Sequence, residues 1–589
     1  MKSHNHHALL LSLLLFVLIL NGCGSALPGP AEQESNGLSI DDLFPSIVSP
    51  TPTPFQPVPP TPSPTLTPTA TLPPTATPAP VQTLNIWLDP AMPPALVEQI
   101  RLPQGAQKAQ AVEQSNVQIG PLRGGPPDTS TWVYAIAAAF PTLPDGIALE
   151  EIRRAWRGEA GSTFTATLLM TPETQAAFAA NWGPAGPGRI KTLPAADLLD
   201  AAWEQRAPTG FGSLAIIPFE VIEPRWKVLR VDGVSPMDQQ FDSQQYPLAV
   251  WFGVSGSPEA VVLLQNALGP GATIFTAASN RDPAKMTTLV MTGVTALARA
   301  TGARMDSLGA TYPARDIRDW LVTADLTHIS NEVSFTPDCP LANPYSTSVM
   351  FCSRPEYIEL LEYIGTDIVE LSGNHNKDWG VRPFDYSLNM YHERDWTLFA
   401  GGENIEAARR PAIVEHNGNR LAFIGCNPVG PGGVFATASE SGVASCGDYG
   451  WILDEVRRLR SEGYLPIVTL QYFEIYVHFP SDHQERNFRA LAEAGAVIVS
   501  GSQAHFPQYM EFHEGSFIHY GLGNLFFDQM DIPVPGTRRE FVDRHIFYNG
   551  KHIQTELLTA LLEDYARPRP MTQEERDQFL IDIFRSKGW

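Results

Sequence analysis

From residue 83 onward, short apolar runs alternate with stretches in which apolar residues recur every three or four positions, the pattern of strands alternating with amphipathic helices. Over residues 83–285 the spacing predicts strands at 84–88, 132–138, 165–170, 214–219 and 249–254. Helices are expected at 172–182, opened by Pro172-Glu173, and at 194–205, where Leu198, Leu199, Ala202 and Trp203 fall on one face. From residue 286 the pattern sharpens. Apolar runs at 288–291, 326–330, 367–371, 467–470, 497–499 and 517–520 each end in polar residues, and amphipathic stretches such as Ile452/Val456/Leu459 and Phe488/Leu491/Ala492 lie between them. Asn417-Gly418 and Asn549-Gly550 predict two-residue hairpin turns, and Thr572 with Glu575 predicts a capping box. The fold class expected is α/β, with a mixed-sheet sandwich covered by helices over 286–589 and a separate α/β domain over 83–285. Parallel strands alternating with helices gather their C-terminal ends on one rim, where such proteins place their chemistry.

Residues 1–82 break this pattern. Lys2 precedes a 13-residue apolar run at 8–20, which is too short to cross a hydrocarbon core of about 30 Å. The run ends in Leu20-Asn21-Gly22-Cys23, which resembles the bacterial lipobox and implies a lipidated Cys23 after removal of residues 1–22. Residues 24–82 read as a linker: 13 Pro and 9 Thr in the 31 residues of 50–80 favour an extended polyproline-like spacer. No later stretch reaches 18 unbroken apolar residues, so the expected location is the extracytoplasmic side of the cell membrane, held by the lipid. The formal charge of −23, from 40 Lys+Arg against 63 Asp+Glu, argues against a nucleic-acid partner. After Cys23 only Cys339, Cys352, Cys426 and Cys446 remain, and an oxidising compartment favours local disulfides 339–352 and 426–446. A four-Cys zinc site is the alternative, although no C-x-x-C is present.

The polar residues at the predicted strand ends carry the candidate chemistry. They include "SNEVSF" at 330–335, "GNHNKDWG" at 373–380, "QYFEIYVHFPSDHQ" at 471–484, "SGSQAHFPQ" at 500–508 and "GLGNLFFDQ" at 521–529. The Asn-His pair after a buried strand resembles calcineurin-like phosphoesterases, and the five motifs in order resemble the capsule-synthesis CapA family, which includes poly-γ-glutamate synthesis proteins. That resemblance implies a metallophosphatase-like sandwich outside the membrane and a role in making, exporting or tethering a capsule polymer. The implied partners are the extracellular polymer or its synthase complex, with the membrane reached through the lipid anchor. Residue by residue, it implies His375 and Asp378 as catalytic groups, and Glu332, Asn374, Glu474 and His505 as ligands of one divalent metal ion. Beside them Arg299, Asn331, Gln471, Gln503 and Asn524 are the expected ligand-binding groups, Asn524 by the same resemblance. Three departures stand out: Val294 where the family has Asp, and Gln471 and Gln503 where it has His. A two-metal centre needs ligands and charge that these residues do not supply, so a partly degenerate site is expected.

Each residue also has a structural reading. Asn374 could cap the following segment, Glu332 could pair with Arg299, and His375, His478 and His505 could be satisfied loop histidines. Trp379 and Tyr472 could line a polymer groove or simply pack. Arg299, Arg304, Arg315 and Arg318 are the cationic cluster available to a polyanion. Separately, "DGIALEEIRRAWRG" at 145–158 and the strand order around it are similar to periplasmic solute-binding proteins of the phosphate-binding type, without a Ser/Thr/Arg/Asp run that would mark an anion site. The alternatives to a polymer role are a metal-dependent phosphoesterase or amide hydrolase, and a small-ligand-binding protein.

Overall fold

Strand Met286–Thr292 shows how the molecule is layered, because its side chains divide between two cores: Leu289 and Met291 enter one, Val290 the other. The computed structural model describes residues 83–124, 129–207 and 209–589. The signal-peptide, Cys23 and linker readings for residues 1–82 lie outside the described residues.

Met286–Thr292 belongs to a sheet ordered Thr397–Phe399, Ile368–Glu370, Leu326–Asn331, Met286–Thr292, Arg539–Tyr548, Lys551–Glu563, Arg567–Pro570. The first four strands run parallel and the last three form an antiparallel extension. A second sheet is ordered Ala412–His416, Asn419–Cys426, Leu465–Gln471, Ile498–Ser502, Ser516–His519, Met510–His513, with its central strands parallel. Phe399 of the first sheet meets Phe423 of the second, ring centroids 5.8 Å apart. Helices Arg299–Leu308, Ile358–Tyr363 and Val381–His392 cover the outer face of the first sheet through Met305, Leu361 and Phe384. Gly450–Ser461 and Asp482–Glu493 cover the second through Ile452, Val456, Phe488 and Leu491. The result is an α/β sandwich of two mixed sheets with helices on both outer faces.

Both hairpin turns form as the Asn-Gly pairs predict. Asn417 and Gly418 have φ of 49° and 76°, Asn549 and Gly550 have 49° and 75°, the left-handed pair that matches strand twist. Thr572 and Glu575 make the reciprocal capping box of helix Gln573–Lys587. Disulfides join Cys339 to Cys352 and Cys426 to Cys446.

The other sheet, drawn from residues 85–256, is ordered Gln107–Lys108, Asn85–Leu88, Val117–Leu122, Ala249–Gly256, Ser130–Ala139, Leu214–Pro218, Leu168–Met170, Ile190–Thr192. Parallel and antiparallel pairs mix, and helices such as Leu149–Trp156 and Pro172–Trp182 pack on it, an α/β arrangement. The segment expected to be helical over 194–205 divides: after Pro194 comes one 3₁₀ turn, Ala195–Asp197, and the α-helix is Leu198–Glu204. This sheet is docked onto the sandwich. Phe140 packs among Phe512, Phe517 and Trp589, and the Val228 N–H donates to Gln554 Oε1 at 3.1 Å.

Candidate functional site at the strand ends

The rim of the sandwich is built by close backbone approaches that only glycine allows. A Cβ on Gly373 would lie 2.3 Å from Glu332 Cα, and one on Gly293 would lie 2.2 Å from Gly523 O. Gly373 thereby lets the turn carrying Asn374 and His375 lie against the end of strand Leu326–Asn331. Beyond strand Ile498–Ser502, Gln503 and His505 both adopt left-handed backbone, with φ of 77° and 52°, a costly conformation for non-glycine residues that turns the chain sharply at the rim.

At the centre, Gln471 Nε2 donates to Asn374 Oδ1 at 2.9 Å, to Glu332 Oε2 at 3.1 Å and to Gln503 Oε1. Glu332 is 1% exposed and its Oε1 has no partner. Burial is the main reason its carboxyl is pushed up to about 7; His375 pulls it down, while Glu474 and Asp378 push it further up. His375 Nδ1 is 2.7 Å from Asp378 Oδ2, which also accepts from the Phe351 N–H. Burial alone would lower the His375 pKa, but the Asp378 hydrogen bond and the Glu332 charge outweigh it and hold it above its ordinary value. His505 Nδ1 sits 2.7 Å from Asn524 Oδ1, and burial pushes this imidazole down to about 4. The two histidines are backed by one stack, in which Phe351 lies 4.4 Å from His375, Phe527 lies 4.9 Å from His505, and the Arg299 guanidinium sits over both phenyl rings. The 339–352 disulfide closes the loop that presents Phe351.

Of the residues named from sequence, Glu332, Asn374, Gln471 and Gln503 share one network, and His375 with Asp378 and His505 with Asn524 flank it. Glu474 lies on the exposed loop after Gln471, without a hydrogen bond, although its charge acts on Glu332. Asn331 points the other way: its Nδ2 donates to Val333 O and Tyr391 OH in the helix-covered core. Arg299 pairs with Asp528 rather than Glu332. Asn374 caps no helix, since the next one, Val381–His392, begins after Gly380. Tyr472 is buried and accepts from Asn487, whereas Trp379 is exposed. The proposed arginine cluster is largely spent, with Arg304 on Asp564 and Arg318 on Tyr363 O.

Sequence reasoning missed Asn427, whose Nδ2 donates to Gln471 Oε1 at 2.6 Å and to Ser372 O at 3.0 Å. The available signal was a polar residue directly after strand Asn419–Cys426. It also missed Glu370, fully buried beneath the rim, which accepts from Ser372 and Ser502 and pairs with His328 at 3.4 Å.

A model of the bacterial capsule synthesis protein family, PGA_cap, matches residues 288–529. Over these residues the chain is similar to that family. The capsule biosynthesis protein CapA of Bacillus anthracis is 23% identical over 298 residues, covering 50% of this chain and 71% of that one. The PGA biosynthesis protein CapA of Bacillus subtilis is 25% identical over 178 residues, 30% of this chain and 47% of that one. Among solved structures, an ABC-type phosphate transport receptor from Vibrio cholerae matches 27% of this chain and 75% of that one, with 9% identity and a TM-score of 0.22.

The resemblance read from the motifs implies a divalent metal, and the residues of the sandwich test that implication. Among the described residues no group of three His, Cys, Asp or Glu side chains converges closely enough to hold an ion. Val294 is buried and cannot coordinate an ion, and the central position is taken by amides. The residues do not fit a two-metal centre. The cleft of about 700 Å³ in the other domain is lined by Glu173, Glu220 and Glu223, with Arg225 paired to Glu223, a charge balance unsuited to phosphate.

Proposed function

We propose that this chain is a surface-anchored protein acting in the synthesis, export or tethering of a capsule or poly-γ-glutamate-type polymer. The observation that carries the reading is convergence. Glu332, Asn374, His375, Gln471, Gln503, His505 and Asn524, spread across the matched segment 288–529, gather at the strand-end rim. The capsule and PGA roles named for the two CapA relatives support a polymer partner or a synthase complex. In this reading Cys23 carries the lipid and the Pro/Thr-rich segment spaces the folded part from the membrane, on its extracytoplasmic side. The metallophosphatase-like site is degenerate, and one weakly held divalent ion is its upper limit. Deleting the chain from the bacterium that makes it should lower cell-associated anionic polymer several-fold, with re-expression restoring it. Unchanged polymer in the deletion strain would sink the proposal.

A second reading, hydrolysis of a polymer linkage without metal, is favoured by one observation. A carboxyl pushed up to about 7 lies within reach of the charge of a carboxylate-held imidazole at the same rim, an acid and a base side by side. Under that reading His375→Asn abolishes release of fragments from purified polymer; wild-type protein that releases none excludes it.

A further inference from the structure

The orientation of Gln471 is fixed by a chain of donors that cannot be reversed. Asn427 Oδ1 accepts from the backbone N–H of Val429 at 2.7 Å and of Gly430 at 2.8 Å. Its Nδ2 must therefore face the other way, toward Ser372 O and Gln471 Oε1. Because an amide N–H₂ accepts nothing, the end of Gln471 nearest Asn427 has to be oxygen, and its nitrogen is turned to the rim. There it meets three oxygens brought from separate places: Glu332 from beyond strand Leu326–Asn331, Asn374 from the 373–380 turn, and Gln503 from beyond strand Ile498–Ser502.

We infer that the Gln471 carboxamide is a built-in replacement for a cation, holding together the three oxygens that a divalent ion would otherwise bind. The Nε2 to oxygen distances of 2.9 and 3.1 Å to Asn374 and Glu332 are hydrogen-bond spacings, whereas an ion would draw oxygens to about 2.0–2.6 Å. Glu332 and Gln503 are both more than nine-tenths buried, so oxygens facing one another there without a donor would be strongly unfavourable. Two N–H bonds of one side chain, one of them shared between two of the three oxygens, answer that need, and they leave the centre of the site filled by nitrogen. The inference concerns how the site is held together and does not depend on which polymer, if any, it serves.

The same hydrogen-bond logic supplies a remote switch. Asn427→Asp keeps an acceptor for Val429 and Gly430 but turns an oxygen toward Gln471. The carboxamide must then flip, presenting its own oxygen to the other three and opening a cation site without altering any group that lines it. Gln471→Glu does so directly, and Gln471→Met removes the donor without adding an oxygen.

The full chain and these three variants are stripped with EDTA and titrated with Mn²⁺, reading bound ion by elemental analysis and stability by thermal melting. The wild type should hold no stoichiometric Mn²⁺, and its melting temperature should be the same in EDTA and in Mn²⁺. Asn427→Asp and Gln471→Glu should melt several degrees lower in EDTA, with Mn²⁺ restoring the loss at one ion per chain. Gln471→Met should be destabilised and indifferent to Mn²⁺. Stoichiometric Mn²⁺ in the wild type overturns the inference even if every variant fails to fold, as do folded Asn427→Asp and Gln471→Glu proteins that ignore Mn²⁺.

Discussion

Glu332 is the residue whose environment departs furthest from what its side chain prefers in water. Its carboxyl rises to about 7 because burial disfavours the charged form. The sign of the consequence follows from the proton count. Between about 4.3 and 7 the native state keeps a proton that the unfolded state has released, so burial of Glu332 costs stability that grows as pH rises through that window, to about 3 kcal/mol above it. Glu332→Gln should therefore be more stable than wild type at pH 8, and the difference should shrink by about 2 kcal/mol on going to pH 5, measured by urea unfolding. A pH-independent difference would mean that Glu332 is ionised in the fold. The adjacent Asn331 shows how local this effect is: one position back along the same strand end, it spends its amide on Tyr391 in the opposite core.

At the level of strands, the sandwich holds two imidazoles, His545 and His552, that have nowhere to put a charge. His545 and His552 stand on the two arms of the Arg539–Tyr548 and Lys551–Glu563 hairpin, bridged through Thr555, and His519 pairs with Asp543 beside them. Burial holds His545 well below its ordinary range and His552 down to about 3. A histidine depressed in this way is neutral in the native state while the unfolded state gains a proton near 6.5, so stability falls with pH below that value. Each such residue should cost about 2 kcal/mol between pH 7 and pH 5. His552→Gln should lower stability at pH 7 yet flatten its decline toward pH 5 by that amount. A decline as steep as that of the wild type would place the acid sensitivity elsewhere. The hairpin itself was legible, since Asn549-Gly550 sets its turn. The imidazole cluster was not, because His519 reaches it from the other sheet.

For the whole molecule the decisive feature is that the sheet of residues 85–256 is not an independent appendage. Phe140 lies in the sandwich core with Phe512, Phe517 and Trp589, and Arg576 of the terminal helix donates to Leu143 O and pairs with Asp145. Phe140→Ala should cost about 3–5 kcal/mol, as for other large-to-small core changes, and should uncouple the two parts. Two separate transitions in calorimetry are expected in place of the single one of the wild type. A single transition lowered by less than about 1 kcal/mol would show that the contact is peripheral. Among the described residues no helix is long and apolar enough to cross a membrane.

What the sequence determined by itself is what neighbours in the chain can settle: the strand and helix alternation, both Asn-Gly turns, the Thr572 capping box and the two short-range disulfides. Each depends on periodicity or on partners at most 20 residues apart. What only tertiary structure decided is which groups meet across long separations. Alternation along a strand says that Asn331 and Glu332 face opposite ways, not which of them faces the rim. Arg299 finds Asp528 across 229 positions, and Gln471 takes its orientation from Asn427, 44 positions away on the neighbouring strand. Substituting Gln for His reads, in sequence, as the loss of a ligand. Only the folded rim, where three oxygens converge on one amide nitrogen, shows what the replacement does.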